Sequence, residues 1–350
     1  VLGTVGLILI VLEGSLELEL NKSKFALIRK SFFGAFIPML ALAFLFAYVF
    51  SYYGGYGLKD SLTNVLPFCI ISSAIAIPSV RNLSAYNKEF VIYESSLSDI
   101  IGVLLFNFFA LNDTINMNSF GHFGLQLLII TIVSFIATIG LSFLLSKIDH
   151  HIKFVPIILL VILIYSVSKI YHLPGLIFIL LFGLSIGNID ELKRFKWIER
   201  FKPDELNKEV MKFRELTIEG AFLVRALFFL LFGYLIEATE VLNADTILWA
   251  LLIVFAIFVF RFIQLKLSKL PMRPLLFVAP RGLITILLFI SIDPTNTISF
   301  VNKSLIIQIV ILTALIMMFG LMMSKQPKKI NDKTSDDVIP EENQPQQVIS

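Results

Sequence analysis

Two carboxylates lie five residues apart inside an apolar stretch, residues 90–111, that is long enough to cross a bilayer. They are Glu94 and Asp99, and serine hydroxyls lie between them in the run Glu94-Ser95-Ser96-Leu97-Ser98-Asp99. A carboxylate at membrane depth is costly and is usually retained for function. Packing alone would be served by Leu and Ile throughout. The pattern therefore predicts a proton or cation site within a membrane helix.

The composition of the whole chain fixes the class of protein around this site. Of the 350 residues, 57% are hydrophobic, and the mean hydropathy is +0.86. These values exceed what a soluble core needs and predict an all-α polytopic membrane protein. We identify eleven candidate spans, numbered first to eleventh, at 1–16, 31–53, 62–80, 90–111, 120–146, 154–170, 172–188, 216–238, 245–265, 271–292 and 300–323.

The basic residues alternate between the loops on the two sides of these spans. Most of the 29 Lys and Arg residues fall in alternate loops, which is the pattern expected of short cytoplasmic loops. This places residue 1 outside, the C-terminal tail inside, and the span at 90–111 running outward. The net charge of +3 is then a topological bias and indicates no nucleic-acid partner.

Three segments outside the spans have simple interpretations. The chain opens at Val1 inside an apolar run, so we expect upstream residues to be missing; a signal peptide is the alternative, but this run lacks a basic leader. The mixed charged and aromatic segment 189–214 is typical of a cytosolic interfacial linker. The polar residues 324–350 predict a disordered cytosolic tail.

The charged residues within the spans fall into acid–base pairs that lie at similar depths in the membrane. At about 1.5 Å per helical residue, Asp99 and Arg281 both lie near the midplane of their spans, whereas Glu94 and Arg261 both lie near the inner boundary. Opposite charges at one depth offset each other's desolvation. We therefore predict a Glu94–Arg261 pair. The alternative has Arg261 extending to the headgroups and Glu94 facing water.

A third intramembrane arginine has no obvious partner in the sequence. Arg225 lies in the middle of the eighth span, and no acid is evident at its depth. We expect a local partner such as Glu219, or a contact between helices.

Two spans have the composition of interrupted helices. Proline removes a backbone donor and glycine eases irregular dihedral angles, so these spans should expose backbone groups at depth. Spans two to four and nine to eleven then form two triplets of opposite direction, each with an interrupted middle member. This predicts an inverted repeat with its site where the interrupted helices cross. The residues concerned are Pro67, Ser72, Ser73 and Pro78 in the third span, and Pro271, Pro274, Pro280 and Gly282 in the tenth.

Residues 94–99 resemble the Glu-Ser-Leu-Leu-Asn-Asp signature of the cation/proton antiporter superfamily, and of its sodium/proton exchanger branch in particular. Asp99 takes the place of the transporting carboxylate. Weaker resemblances occur elsewhere in the chain, in the same order as in the family. Together with residues 94–99 they extend over nearly all of 1–323. These are Gly14 to Glu19 (Gly-Leu-Glu-Leu-Asp in the family), Phe228-Phe229 through Gly233, and Pro280-Arg281-Gly282 (Leu-Arg-Gly in the family).

The resemblance implies a thirteen-span fold with about eleven spans present, a homodimer, and an elevator-like movement of a core domain. It also implies that Arg261 pairs with the glutamate of the signature. In this scheme, 1–30 is the third family span with its loop, in the dimerisation domain, and 154–244 is the rest of that domain, including loop 189–214. The core repeats are 31–111 and 245–323, joined by a linker helix within 112–153, and 324–350 is the tail.

The chain departs from the family pattern at two places. Ser98 replaces the Asn of the signature, and Ser72-Ser73 stands where the family has Thr-Asp-Pro. We expect Asp99 to hold a proton and a monovalent cation in turn, with Ser98, Ser72, Ser73 and freed carbonyls completing an oxygen shell. With one site carboxylate, the simplest stoichiometry is one proton per cation.

The function predicted from the sequence is exchange of a monovalent cation, Na⁺ first, for H⁺ across the plasma (inner) membrane. The ion could instead be K⁺ or Li⁺, and a passive cation channel is a weaker alternative. Arg281 is expected close to Asp99, where it would offset its charge. No cofactor is predicted. An enzyme is disfavoured, because no histidine lies at the depth of Asp99; the four are His122, His150, His151 and His172.

Overall fold

A computed structural model describes residues 2–18, 22–112, 115–147, 154–171, 173, 175–188 and 203–324. Within these ranges the protein is helical and contains no strand. We number the α-helices in chain order. They are α1 Leu2–Glu17, α2 Phe25–Gly54, α3 Leu58–Cys69, α4 Ser73–Ser79, α5 Ala85–Leu111, α6 Met117–Lys147, α7 Phe154–Ile170, α8 Gly175–Gly187, α9 Pro203–Leu235, α10 Ala238–Val241, α11 Ala244–Leu267, α12 Leu283–Ile290 and α13 Lys303–Met323.

The all-helical membrane fold predicted from hydropathy is confirmed. Each of the eleven apolar runs contains helix, and six segments of the described chain are long and apolar enough to cross a membrane. α1, α7 and α8 are shorter, at 16, 17 and 13 residues. The protein is therefore an integral membrane protein whose spans include both long helices and short, interrupted ones.

The first interrupted helix consists of α3 and α4, separated by residues 70–72. Ile70 and Ser72 have extended backbone dihedrals, with ψ of 132° and 114°. Pro67 and Pro78 lie inside the two halves and not at the break. The break is instead accommodated by α5, where the missing side chain of Gly102 leaves room for the Ile70 side chain.

The second interrupted helix is less regular than the first. Its entry half is a single 3₁₀ turn at Leu275–Phe277, followed by an irregular stretch that leads to α12. Pro271, Pro274 and Pro280 lie in or beside this part and remove three backbone donors that an α-helix would use. Phe277 packs into the space left by Gly320 on α13. The two triplets predicted from the sequence thus share their order of elements but differ in the middle member.

The helices pack in two groups. α2 contacts α3, α5 and α11, and α11 contacts α13. In the other group, α1 contacts α8 and α9, while α6 and α7 also pack on α8. Gly183 and Gly187 bring α8 close to Ser15 and Leu16 of α1. The candidate site is flanked by α5 and α12. α1 and α8 contact α5, and α1 and α9 contact α12. We therefore call α1, α8 and α9 together the wall.

Several sequence predictions fall wholly or partly outside the described residues. Of the predicted loop 189–214, the part from Pro203 onward is helical and forms the first turns of α9, because it is rich in Glu, Lys, Leu and Met, which favour helix. His122 lies inside α6. Residues 189–202, the tail from 325 onward, and His150, His151 and His172 lie outside the described ranges.

Candidate ion-binding site

Asp99 is held at the start of α4 by one of its two carboxylate oxygens. The side chain lies on α5 and the residue is 4% exposed. Oδ2 accepts hydrogen bonds from the backbone N of Ser73, at 3.2 Å, and from the Ser73 hydroxyl. The first amides of a helix lack intrahelical acceptors, so Ser73 N is free to bind a carboxylate. Oδ1 is buried and has no hydrogen-bond partner among the described residues.

Ser72 lies in the break of the first interrupted helix, and Ser98 of α5 contacts that break. The Ser98 hydroxyl accepts a hydrogen bond from Ile71 N at 2.9 Å, so it satisfies a backbone amide that the break leaves free. The Ser72 hydroxyl is buried and unpartnered within the described structure. The structure thus brings Asp99, Ser98, Ser72 and Ser73 together, but Ser98 is engaged in holding the backbone.

The two interrupted helices meet directly beside Ser72. Its backbone N donates to Pro280 O at 2.9 Å, which joins the first break to the second. Gly282 packs closely on this point, because a Cβ built there would lie 2.8 Å from both Ser72 Oγ and Ile75 Cδ1. The crossing therefore depends on a residue without a side chain at position 282.

Arg281 binds backbone carbonyls. Its guanidinium donates to Phe68 O at 2.8 Å, Ala279 O at 2.7 Å and Cys69 O at 3.3 Å. Within the described chain, Arg281 forms no hydrogen bond or ion pair with Asp99. The expectation that Arg281 offsets the charge of Asp99 directly is therefore not met. The freed carbonyls at the end of α3 attract the guanidinium, so these particular carbonyls are occupied by Arg281.

Glu94 and Arg261, matched by depth in the sequence, form an ion pair. Arg261 Nη1 donates to Glu94 Oε1. The Arg261 side chain is 3% exposed and the Glu94 side chain is 1% exposed. Gln264 completes the cluster, since it accepts from Arg261 at 2.9 Å and donates to Glu94 at 2.8 Å. Sequence reasoning missed Gln264. Its position one turn after Arg261, in an otherwise apolar helix, was the available signal.

Arg225 is paired with Glu13 of α1, so the expected contact between helices is confirmed, and the alternative of a local partner such as Glu219 is wrong. Nη1 and Nη2 of Arg225 lie 2.7 and 3.0 Å from the two carboxylate oxygens of Glu13. Glu219 is six residues from Arg225, a spacing that places the two on different faces of α9. The depth count also failed here because α9 begins at Pro203, well before the apolar run that was used to measure depth.

A cavity of about 730 Å³ lies between the wall and the helices around Asp99. It is at the end of the bundle that the loop charges assign to the outside. Asp99 is not among the described residues that line it. The polar lining residues include Thr63, Asn107, Lys169, Asp293 and Asn296.

The sequence of residues 1–325 matches the family model described as sodium/hydrogen exchanger, transmembrane. The chain belongs to the sodium/hydrogen exchanger family. Membership of this family supports cation/proton exchange, which is the activity of a transporter. No curated protein matches the exchanger in sequence.

Two solved structures of a sodium proton antiporter share the fold. The sodium proton antiporter MjNhaP1 from Methanocaldococcus jannaschii at pH 8 matches with a TM-score of 0.62 and 18% identity, covering 91% of the exchanger and 80% of that chain. An electron-microscopy structure of the same antiporter matches with a TM-score of 0.58 and 18% identity. The match covers 91% of the exchanger and 81% of that chain. At this identity the likeness shows the fold alone.

The tight crossing at Gly282 gives a first testable prediction. Gly282→Ala should reduce cation-driven proton exchange several-fold and destabilise the fold by about 1–3 kcal/mol, because the new methyl group forces Ser72 and Ile75 away. Gly124→Ala is the matched control, since a Cβ at Gly124 meets no atom within 4 Å. Exchange in vesicles and thermal unfolding in detergent measure both effects. Equal behaviour of the two variants would show that the crossing tolerates a side chain.

Proposed function

We propose that the exchanger moves Na⁺ and H⁺ alternately on Asp99, with one proton exchanged for one cation. The observation that carries this proposal is the uneven use of the Asp99 carboxylate. Oδ2 is held by Ser73, whereas Oδ1 is buried without a partner. An unpaired buried oxygen is costly unless a ligand satisfies it. A proton or an alkali cation on Oδ1 would remove that cost.

The two ions compete for Asp99 because of its charge. Ionised Asp99 attracts a cation, and protonated Asp99 does not. The nearby Ser72 hydroxyl is also unpartnered, so it is the most suitable second oxygen ligand for a hard cation. Ser73 and Ser98 support the site without being the ligands proposed for the cation. Ser73 orients the Asp99 carboxylate, and Ser98 holds the backbone at the break.

Movement of the site follows the domain scheme proposed from the sequence. The core repeats, 31–111 and 245–323, carry Asp99 past the segments 1–30 and 154–244, which form the dimerisation domain of a homodimer, with 112–153 as the linker. Support comes from the packing, in which helices of each proposed domain contact one another and the wall contacts α5 and α12. We place the exchanger in the plasma membrane, surrounded by lipid.

Reconstituted vesicles with an internal pH dye test this function. A sodium gradient should drive proton movement in the opposite direction, and a voltage clamp set by valinomycin and potassium should leave the rate unchanged if exchange is electroneutral. Titration with sodium, lithium and potassium chloride identifies the cation; a response to potassium alone would replace Na⁺ with K⁺. Cation flux without proton counterflow in the unmodified protein would instead indicate a channel.

A further inference from the structure

A second, much smaller cavity lies between α2, α11 and the two interrupted helices. Its volume is about 20 Å³. A cavity of roughly 10–15 Å³ is enough for one water molecule, so this one accommodates a single occupant of about that size. Among the described residues that line it, the charged ones are Arg261 and Arg281. The function proposed above gives this cavity no role.

Both arginines that line the cavity have unused hydrogen-bond donors. A guanidinium carries five N–H groups. Arg261 Nη2 is buried and has no partner within the described structure. Arg281, which is 2% exposed, uses one N–H on each of its three nitrogens for the carbonyls of Phe68, Cys69 and Ala279, so two N–H groups remain. Buried donors without an acceptor cost free energy, so the cavity favours an occupant that accepts hydrogen bonds.

The charges around the cavity do not balance. Arg261 is paired with the Glu94 carboxylate, whereas Arg281 has no carboxylate partner among the described residues. The carbonyls that bind Arg281 lower the cost of burying it, but they carry no net charge. Two guanidiniums and one carboxylate thus leave one buried positive charge, and buried charges are normally paired. A water molecule would satisfy the N–H groups alone, whereas an anion also supplies the missing charge.

The packing of α2 limits the size of the occupant. Gly34 of α2 lies against the charged cluster, because a Cβ built there would be 2.6 Å from Gln264 Nε2 and 3.0 Å from Glu94 Oε1. The helix therefore approaches as closely as its backbone allows. Together with the volume of about 20 Å³, this close approach admits a monatomic anion and excludes an anion as large as gluconate.

We propose that this cavity binds one small monovalent anion, chloride in ordinary salt, between the guanidiniums of Arg261 and Arg281. The anion accepts hydrogen bonds from the unused N–H groups of both arginines and compensates the charge of Arg281. It thereby joins α11 to the second interrupted helix, close to the crossing of Ser72 with Pro280. This anion site is separate from Asp99, which does not line the cavity within the described residues.

Thermal unfolding in detergent tests the anion site. Chloride replaces gluconate stepwise at constant sodium concentration and ionic strength, so that general salt effects stay fixed. The melting temperature of the unmodified protein should rise by about 2–4 °C and then level off, because an anion that binds only the folded state stabilises it. Bromide should substitute for chloride. A melting temperature that does not depend on chloride would overturn the proposal and leave the cavity to water.

Three variants locate the effect. Arg281→Gln removes the uncompensated charge, and Ala279→Val narrows the cavity while both arginines remain; valine suits this position, because a residue before proline favours an extended backbone. Both variants should lose the chloride shift. Arg29→Gln, which removes an exposed arginine of α2, is the matched control and should keep it.

The decisive result is the chloride shift in folded Arg281→Gln. If it persists there, chloride binds elsewhere and the proposal fails. Where Arg281→Gln does not fold, Ala279→Val decides in the same way. The measurement needs no transport, so its failure is distinct from a failure of the proposed exchange.

Discussion

Asp99→Asn should reduce cation-driven proton exchange to the background of empty vesicles. The amide keeps the size of the side chain and can still accept from Ser73, so the fold should survive. It cannot carry a negative charge, and therefore it neither attracts a cation nor releases a proton. Dye-monitored exchange in vesicles measures the loss, and thermal unfolding in detergent checks the fold.

Asp245→Asn is the matched control for this change. Asp245 is exposed at the start of α11, outside both interrupted helices, and its substitution should leave exchange unaltered. Residual sodium-dependent proton flux in Asp99→Asn, above that of empty vesicles, would move the transporting carboxylate elsewhere in the chain.

The second large effect concerns stability. Glu94→Gln should destabilise the protein by about 3–5 kcal/mol, because it leaves the Arg261 guanidinium buried without an anionic partner. Leu275 O and Gln264 remain as neutral acceptors, so part of the hydrogen bonding persists. The expected result is a clearly lower melting temperature in detergent.

Two further variants separate the buried charge from a general effect of the substitution. Glu89→Gln removes an exposed carboxylate that pairs with Lys24 at 3.3 Å, and such pairs contribute little, so its melting temperature should stay near that of the unmodified protein. The double variant Glu94→Gln, Arg261→Met removes both charges and should recover much of the loss. A melting temperature for Glu94→Gln equal to that of the unmodified protein would refute a stabilising role for the pair.

The sequence was sufficient to predict the all-helical fold and the Glu94–Arg261 pair. Hydropathy and depth along a span depend only on residue type and on position in the sequence, so both can be estimated from a single chain. Depth alone sufficed for this pair because each residue lies near a clear inner boundary. For Arg225 the boundary was misplaced, and its partner Glu13 on a distant helix was missed.

The direction in which side chains point could not be read in the same way. Arg281 and Asp99 share a depth, yet the guanidinium turns to the carbonyls of Phe68 and Cys69. Ser98 likewise binds the backbone of Ile71 and is not free. These choices depend on which backbone groups a break in a helix leaves unsatisfied, and that is decided by tertiary contacts.

The unequal construction of the two interrupted helices has a consequence for kinetics. One middle segment has α-helix on both sides of its gap, and the other has on one side only a 3₁₀ turn, which Pro274 precedes. Halves related by an exact two-fold axis in the membrane plane would give identical energy barriers for influx and efflux. Because these halves differ, ion gradients of equal size and opposite direction can drive exchange at unequal rates. The molecule can then act as a rectifier, while the exchange equilibrium stays fixed by the ion concentrations.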